Sequence, residues 1–171
     1  MRKFVLESGI VKVMDLVVEG KKSPWDALTI DGCAAGEWRV DVSSPNKHGR
    51  RFMVAQLIGR RPGPDIDGDW AEFGEVQCES GVLCLWDAVT CEDESKVPEG
   101  DGFEFFDNAT KRSRKIERSW AGMVASNLSM SDNGHHMFPD GVAFKTRAGG
   151  KPIPVMTVSC DGKVFGVRFV F

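Results

Sequence analysis

Apolar and polar residues alternate along much of this chain with the two-residue period of half-buried strands, and the alternation comes in two similar sets. Glu7-Ser8-Gly9-Ile10-Val11-Lys12-Val13-Met14-Asp15 returns 72 residues later as Glu79-Ser80-Gly81-Val82-Leu83-Cys84-Leu85-Trp86-Asp87. Both copies read Glu-Ser-Gly, two apolar residues, a variable one, an apolar one, a variable one, then Asp. Gly9 to Met14 predicts a strand after a Ser-Gly turn. Trp38-Arg39-Val40-Asp41-Val42, the breaker Ser43-Ser44-Pro45-Asn46-Lys47-His48-Gly49 and the returning Phe52-Met53-Val54-Ala55-Gln56-Leu57-Ile58 predict a hairpin. The last twenty residues predict a second one. There Ile153 to Ser159 leads into Asp161-Gly162, a strong two-residue turn signal, and Lys163 to Phe171 runs back.

Each half thus holds a Ser-Gly strand ending in Asp, a spacer, a Gly-led strand, a turn and a final strand. The expected internal repeats span about 4–60 and 74–171 of one domain covering 1–171. The spacer is about 20 residues in the first half and about 60 in the second, from Asp87 to Gly150, so what is special to the protein belongs to the longer one. That spacer opens acidic, with Glu92, Asp93, Glu94, Glu99, Asp101, Glu104 and Asp107 against Lys96 alone, then turns basic at Lys111, Arg112, Arg114, Lys115 and Arg118. Ile116, Trp120, Met123, Val124 and Leu128 recur at helical spacing. This predicts one amphipathic helix over about 108–129, capped by Asp107 or Asn108. Gly134-His135-His136-Met137-Phe138-Pro139-Asp140-Gly141 reads as a loop. The expected fold is α+β, mainly antiparallel β-sheet from two related β units with that helix packed on the sheet.

These phrases resemble an uncharacterised bacterial family, domain-of-unknown-function family 4241. The resemblance rests on the early Ser-Gly strand ending in Asp and on Phe73-Gly74-Glu75-Val76 followed by Glu79-Ser80-Gly81 through Leu85-Trp86-Asp87-Ala88. It rests also on Gly141-Val142-Ala143-Phe144, a Gly-rich turn, an apolar-Pro strand and Asp161-Gly162-Lys163-Val164 with its last apolar strand. It covers most of the chain in order and implies a bacterial origin and a shared fold. Where such proteins look like Gly-Asp-Gly-x-Tyr-Pro, this chain has Gly149-Gly150-Lys151-Pro152-Ile153-Pro154. Any ligand role built on the missing acid is put in question.

Composition narrows the function. The 171 residues are long enough to bury a core, and 19 Gly and 8 Pro supply many turns. A net charge of −3 argues against a general binder of nucleic acid or anionic membranes. Met1 to Ser8 does not read as a secretory signal, and no run approaches the ~20 apolar residues of a membrane span. Five cysteines, at 33, 78, 84, 91 and 160, read as reduced core residues of a cytoplasmic protein.

The candidate chemistry is thin. Asp15 and Asp87 end equivalent strands and as a pair could do acid–base work or hold a cation. The simpler reading is that each accepts hydrogen bonds from the turn that follows. Asp65-Ile66-Asp67-Gly68-Asp69 lacks the glycine and glutamate positions of a calcium loop, and the adjacent His135 and His136 would point to opposite faces of a strand. No nucleophile–base pattern, phosphate loop or dinucleotide fingerprint stands out, so no cofactor, metal ligand or catalytic residue is expected. Trp25 and Trp70 lie beside turns as possible contact residues, and His48 sits in a turn. The leading expectation is a non-enzymatic module that binds another protein, an immunity protein for a cognate toxin, through Glu92, Asp93, Glu94, Glu99 and Asp101. The alternative is a small enzyme or ligand-binding protein with a cleft between the repeats that uses Asp15, Asp87 and His135.

Overall fold

The computed structural model describes residues 2–16, 27–43, 51–59, 70–146 and 150–171. Trp25, His48, the stretches 60–64 and 65–69 and Gly149 lie outside the described residues. The first half gives β1 (Lys3–Leu6), β2 (Val11–Asp15), β3 (Leu28–Ile30), β4 (Gly36–Val42) and β5 (Phe52–Leu57). The second gives β6 (Ala71–Gln77), β7 (Val82–Asp87), β8 (Phe103–Asp107), β9 (Arg112–Ile116), α1 (Trp120–Ser129), β10 (His135–Phe138), β11 (Gly141–Lys145), β12 (Pro152–Cys160) and β13 (Lys163–Val170).

The strands assemble into a six-stranded antiparallel sheet, β1-β4-β5-β13-β12-β6, and a five-stranded one, β10-β11-β7-β2-β3. The first order reads as one unit meeting the other head to head, with β1, β4 and β5 mirrored by β6, β12 and β13. In the second sheet β3-β2 meets β7-β11 in the same way, and β10 is added outside. Both predicted hairpins form. β4 pairs with β5, and β12 pairs with β13 around Asp161 and Gly162, whose φ of 52° and 75° are the left-handed values a type I′ turn needs.

Alternation decides which side chains go inside. From β2 and β7 come Val11, Val13, Leu83 and Leu85; from the other sheet come Phe4, Trp38, Val40, Met53, Ala55, Val155, Val167 and Phe169, all buried in one cluster between the sheets. Burial of each Val, Leu, Met or Phe side chain among them is worth about 1.5–3 kcal/mol before conformational entropy is counted. The outer face of the second sheet is also apolar. Cys84, Trp86 and Ala143 pack there against Trp120, Val124, Ala125 and Leu128 of α1, with Ile116 and Val97 at the margin. The amphipathic helix thus forms a third layer on the sheet.

The helix is shorter than its apolar spacing predicts. It begins at Trp120, with extended Ser119 as N-cap accepting from the Gly122 amide at 2.9 Å. Asp107 caps a different feature, the β8–β9 turn, where its carboxylate accepts from the Ala109 and Thr110 amides. Residues 112–116 are a strand rather than helical turns, because each basic side chain there has an acidic or aromatic neighbour across the hairpin. Ile116 reaches the helix's core from the end of that strand. Residues 135–138, expected as a loop, form β10 on the edge of the second sheet. No helix among the described residues is long and apolar enough to cross a membrane.

Candidate functional site

The repeated phrase places two carboxylates at the ends of adjacent strands. β2 and β7 pair antiparallel, with Val11 opposite Asp87 and Asp15 opposite Leu83. The two acids therefore lie at opposite ends of the pair, about 13 Å apart along the strands at 3.3 Å per residue. Carboxylate pairs that flank a scissile bond stand about 5–9.5 Å apart. Asp15 and Asp87 are not brought together.

Each instead clasps the opposite repeat. Asp15 accepts from the Glu79 amide at 3.0 Å, the Ser80 amide at 3.2 Å and the Ser80 hydroxyl. Asp87 accepts from the Glu7 and Ser8 amides at 2.7 and 3.0 Å, and from the following Val89 amide at 3.1 Å. Gly9 and Gly81 turn the chain with φ of 73° and 79°, a conformation that other residues reach only at a cost. Both acids are almost fully buried, Asp15 at 7 % and Asp87 at 2 % exposure. Burial pushes the Asp87 carboxyl upward, but the Ser8 hydroxyl and the Ser8, Glu7 and Val89 amides outweigh it and hold the group below its ordinary range. Only the Val89 bond belongs to the following turn; the rest cross between the units.

His135 is placed on the same sheet, opposite Phe144, which is opposite Leu83, which is opposite Asp15. Three strand spacings, about 14 Å, separate it from Asp15. Its Nδ1 lies 3.2 Å from the Asn133 carbonyl and so carries the proton toward it. Burial and the charge of Arg2 lower its pKa, so the ring is neutral near pH 7. His136 is half-buried, with its ring 4.8 Å from that of Phe138.

The thiols are equally quiet. Cys33, Cys78 and Cys84 are buried, Cys91 is half-buried and Cys160 is exposed; all five are free. Burial pushes Cys33 up to about 11 and Cys91 up to about 12, far from the thiolate form that attacks or ligates. Among the described residues no group of three or more His, Cys, Asp or Glu side chains is placed to hold a metal ion.

The acidic stretch of the insert, residues 88–140, is built largely into caps and pairs. Asp93 accepts from the Ser95 amide and hydroxyl at the start of a short 3-10 turn. Glu94 accepts from the Trp120 amide with both oxygens, at 3.0 and 3.1 Å, and so closes the N-terminus of α1. Asp101 pairs with Lys115 at 2.9 Å, and Lys96 with Asp140 at 3.0 Å. Arg118 reaches back to the Val97 and Pro98 carbonyls. In the β8–β9 hairpin Glu104 stands opposite Lys115 and Asp107 opposite Arg112, so acidic and basic runs face each other strand to strand. Glu92, Glu99 and Glu104 remain on the exposed surface.

Sequence reasoning found the two acids and the insert but missed the exchange of caps, which depends on which turn the fold brings to each strand end. It also missed the Ser119 and Glu94 cap, for which Ser-Trp-Ala-Gly at the start of the apolar face was an available signal. Comparison with protein-family models, curated protein sequences and solved structures found no match for this chain.

Proposed function

We propose that the chain is a non-enzymatic bacterial module that binds another protein, an immunity protein that neutralises a partner toxin, and that it meets its partner through the insert 88–140. The observation that carries this reading is the asymmetry between the two units. Twelve residues, 16–27, join β2 to β3, whereas fifty-three, 88–140, join β7 to β11. The extra chain forms a layer of its own over the second sheet, and its exposed Glu92, Glu99 and Glu104 lie outside the caps that hold Asp93 and Glu94. The candidate chemical groups of the scaffold, Asp15, Asp87 and the buried thiols, are engaged in holding it together, which supports binding over turnover. A partner that acts on nucleic acid or nucleotides presents a basic cleft, and carboxylates on a separate layer suit it by speeding association.

The first experiment is an affinity pull-down from a bacterial host of the gene, with the tagged chain as bait. A single stoichiometric partner is expected. Reversal at Glu92 and Glu99 to Lys then weakens that complex by roughly tenfold and flattens its salt dependence while leaving the melting temperature unchanged. If neither affinity nor salt dependence moves, the insert's acidic surface is not the contact. Glu94→Lys is unsuitable for this purpose, because it removes the cap of α1 as well as a charge.

A further inference from the structure

A cavity of about 620 Å³ opens where the insert meets the scaffold, a size within the range of small-molecule sites. Its walls come from five places in the chain. Arg51 stands at the entry to β5 and Lys145 at the end of β11; Phe106 and Asn108 come from β8 and its turn; Met130 closes α1, and the loop that follows brings Asp132 and Asn133.

These walls are held firmly. The Phe106 amide donates to the Ser129 hydroxyl at 3.1 Å, which in turn donates to the Ser126 carbonyl at 2.7 Å. The Lys145 amide donates to the Gly134 carbonyl, the Ser131 hydroxyl donates to the His135 carbonyl, and the His135 ring holds the Asn133 carbonyl. Arg51 is tied at its backbone to Phe171 by two hydrogen bonds, at 2.6 and 3.0 Å. A site whose backbone frame is in place before a ligand arrives loses less on binding.

The chemistry of the lining is mixed in a specific way. Two cations, Arg51 and Lys145, and one carboxylate, Asp132, are among the lining residues, which leaves a net positive charge. An arginine fork suits a carboxylate or phosphate, and a lysine adds a point charge. Phe106 and Met130 offer apolar surface, and the Asn108 and Asn133 amides can each donate and accept at the edge of a ring. We propose that this cavity binds a small anion attached to a planar ring, with a nucleoside monophosphate as the class that engages both cations, the Phe106 ring and the two asparagines. Arg51 and Lys145 hold the phosphate, the base lies on Phe106, and the asparagines read its edge. The site is independent of the protein-binding reading, since its lining excludes Glu92, Glu99 and Glu104.

The test is a titration of the full chain with adenosine monophosphate, followed by the amide NMR signals of Asn133, Gly134 and Lys145. Adenosine and inorganic phosphate serve as the two half-ligands. Saturable shifts are expected with the monophosphate, with either half-ligand at least about tenfold weaker. Arg51→Gln and Lys145→Gln each weaken binding roughly tenfold, and Asp132→Asn strengthens it by removing the opposing charge. Melting curves report whether the variants stay folded, and the gain at Asp132 does not depend on the two losses. No saturation at millimolar monophosphate overturns the proposal. So does adenosine binding as tightly, which would leave the cations idle, or phosphate binding as tightly, which would leave the ring wall idle.

Discussion

Val13 lies directly opposite Leu85 across the β2–β7 pair, and the 72-residue repeat makes these same two residues equivalent. A local two-fold axis therefore passes between them. Equivalent bonds follow on either side: Leu16 donates to the Val82 carbonyl as Ala88 donates to that of Ile10, and Ser8 bonds Ile10 as Ser80 bonds Val82. In the other sheet, β5 and β13 meet with Met53 opposite Phe169, Val54 opposite Arg168 and Ala55 opposite Val167. The exchange of Asp caps is a product of this axis, because antiparallel pairing about it sets the end of each strand beside the turn that opens the other.

Removing either cap breaks several part-buried hydrogen bonds from backbone amides to a charged group, each worth about 1.5–3 kcal/mol. Asp15→Ala and Asp87→Ala are each expected to cost about 3 kcal/mol in denaturant unfolding. The two sites are about 13 Å apart with no shared partner, so the double variant should equal the sum of the singles. Asp87 adds a pH signature. Its folded pKa lies below the ordinary 3.8, so its contribution is complete above that value and is lost as the pH falls through the folded pKa. Asp87→Asn should therefore unfold with a shallower acid limb below pH 4 than the unaltered chain.

Gly141 starts β11 opposite Trp86, and a Cβ there would stand 2.5 Å from two carbons of that indole and 2.7 Å from the Leu85 carbonyl oxygen. Trp86 cannot retreat, since the Trp120 and Phe138 rings lie 4.9 and 4.7 Å from it. Gly141→Ala should cost about 1–3 kcal/mol and alter the near-ultraviolet circular dichroism of the indoles. Gly74→Ala is the control. A Cβ at that position meets Leu28 at an ordinary 3.5 Å, and stability should change by less than about 1 kcal/mol.

Thiol labelling separates the cysteines by position. Cys160 is exposed and should react at once with an aromatic disulfide reagent, a phase that Cys160→Ser abolishes. Cys91, half-buried and pushed up to about 12, should follow slowly. Cys33, Cys78 and Cys84 should appear only on unfolding. Early labelling of Cys84 would contradict the packing of α1 against β7.

How much of this could be read in the sequence depended on whether a feature is local. The hairpins were legible because the alternation in Trp38 to Val42 and the turn pair Asp161-Gly162 carry their own geometry. The length of α1 was not. Ile116 shares a cluster with Trp120, Val124 and Leu128, yet a strand delivers it there, so helical spacing extended the helix backward through the basic run. The strand Arg112–Ile116 has a single buried side chain, Ile116, and becomes a strand only through its partner β8. Asp15 and Asp87 stand at equivalent places in the repeated phrase, but their partners lie 64 and 80 residues away and no spacing along the chain encodes them.

The axis between Val13 and Leu85 carries a last consequence. Two identical chains meeting about such an axis would be obliged to do everything twice: any lengthened loop, any extra helix, any cavity would recur on the far side. Joined in one polypeptide, the halves keep the shared frame and are released from that obligation. One connection is twelve residues and the other fifty-three, and the longer one builds α1 and a cavity wall. The scaffold is held by what the halves have in common, so the difference between them is free to be the useful part.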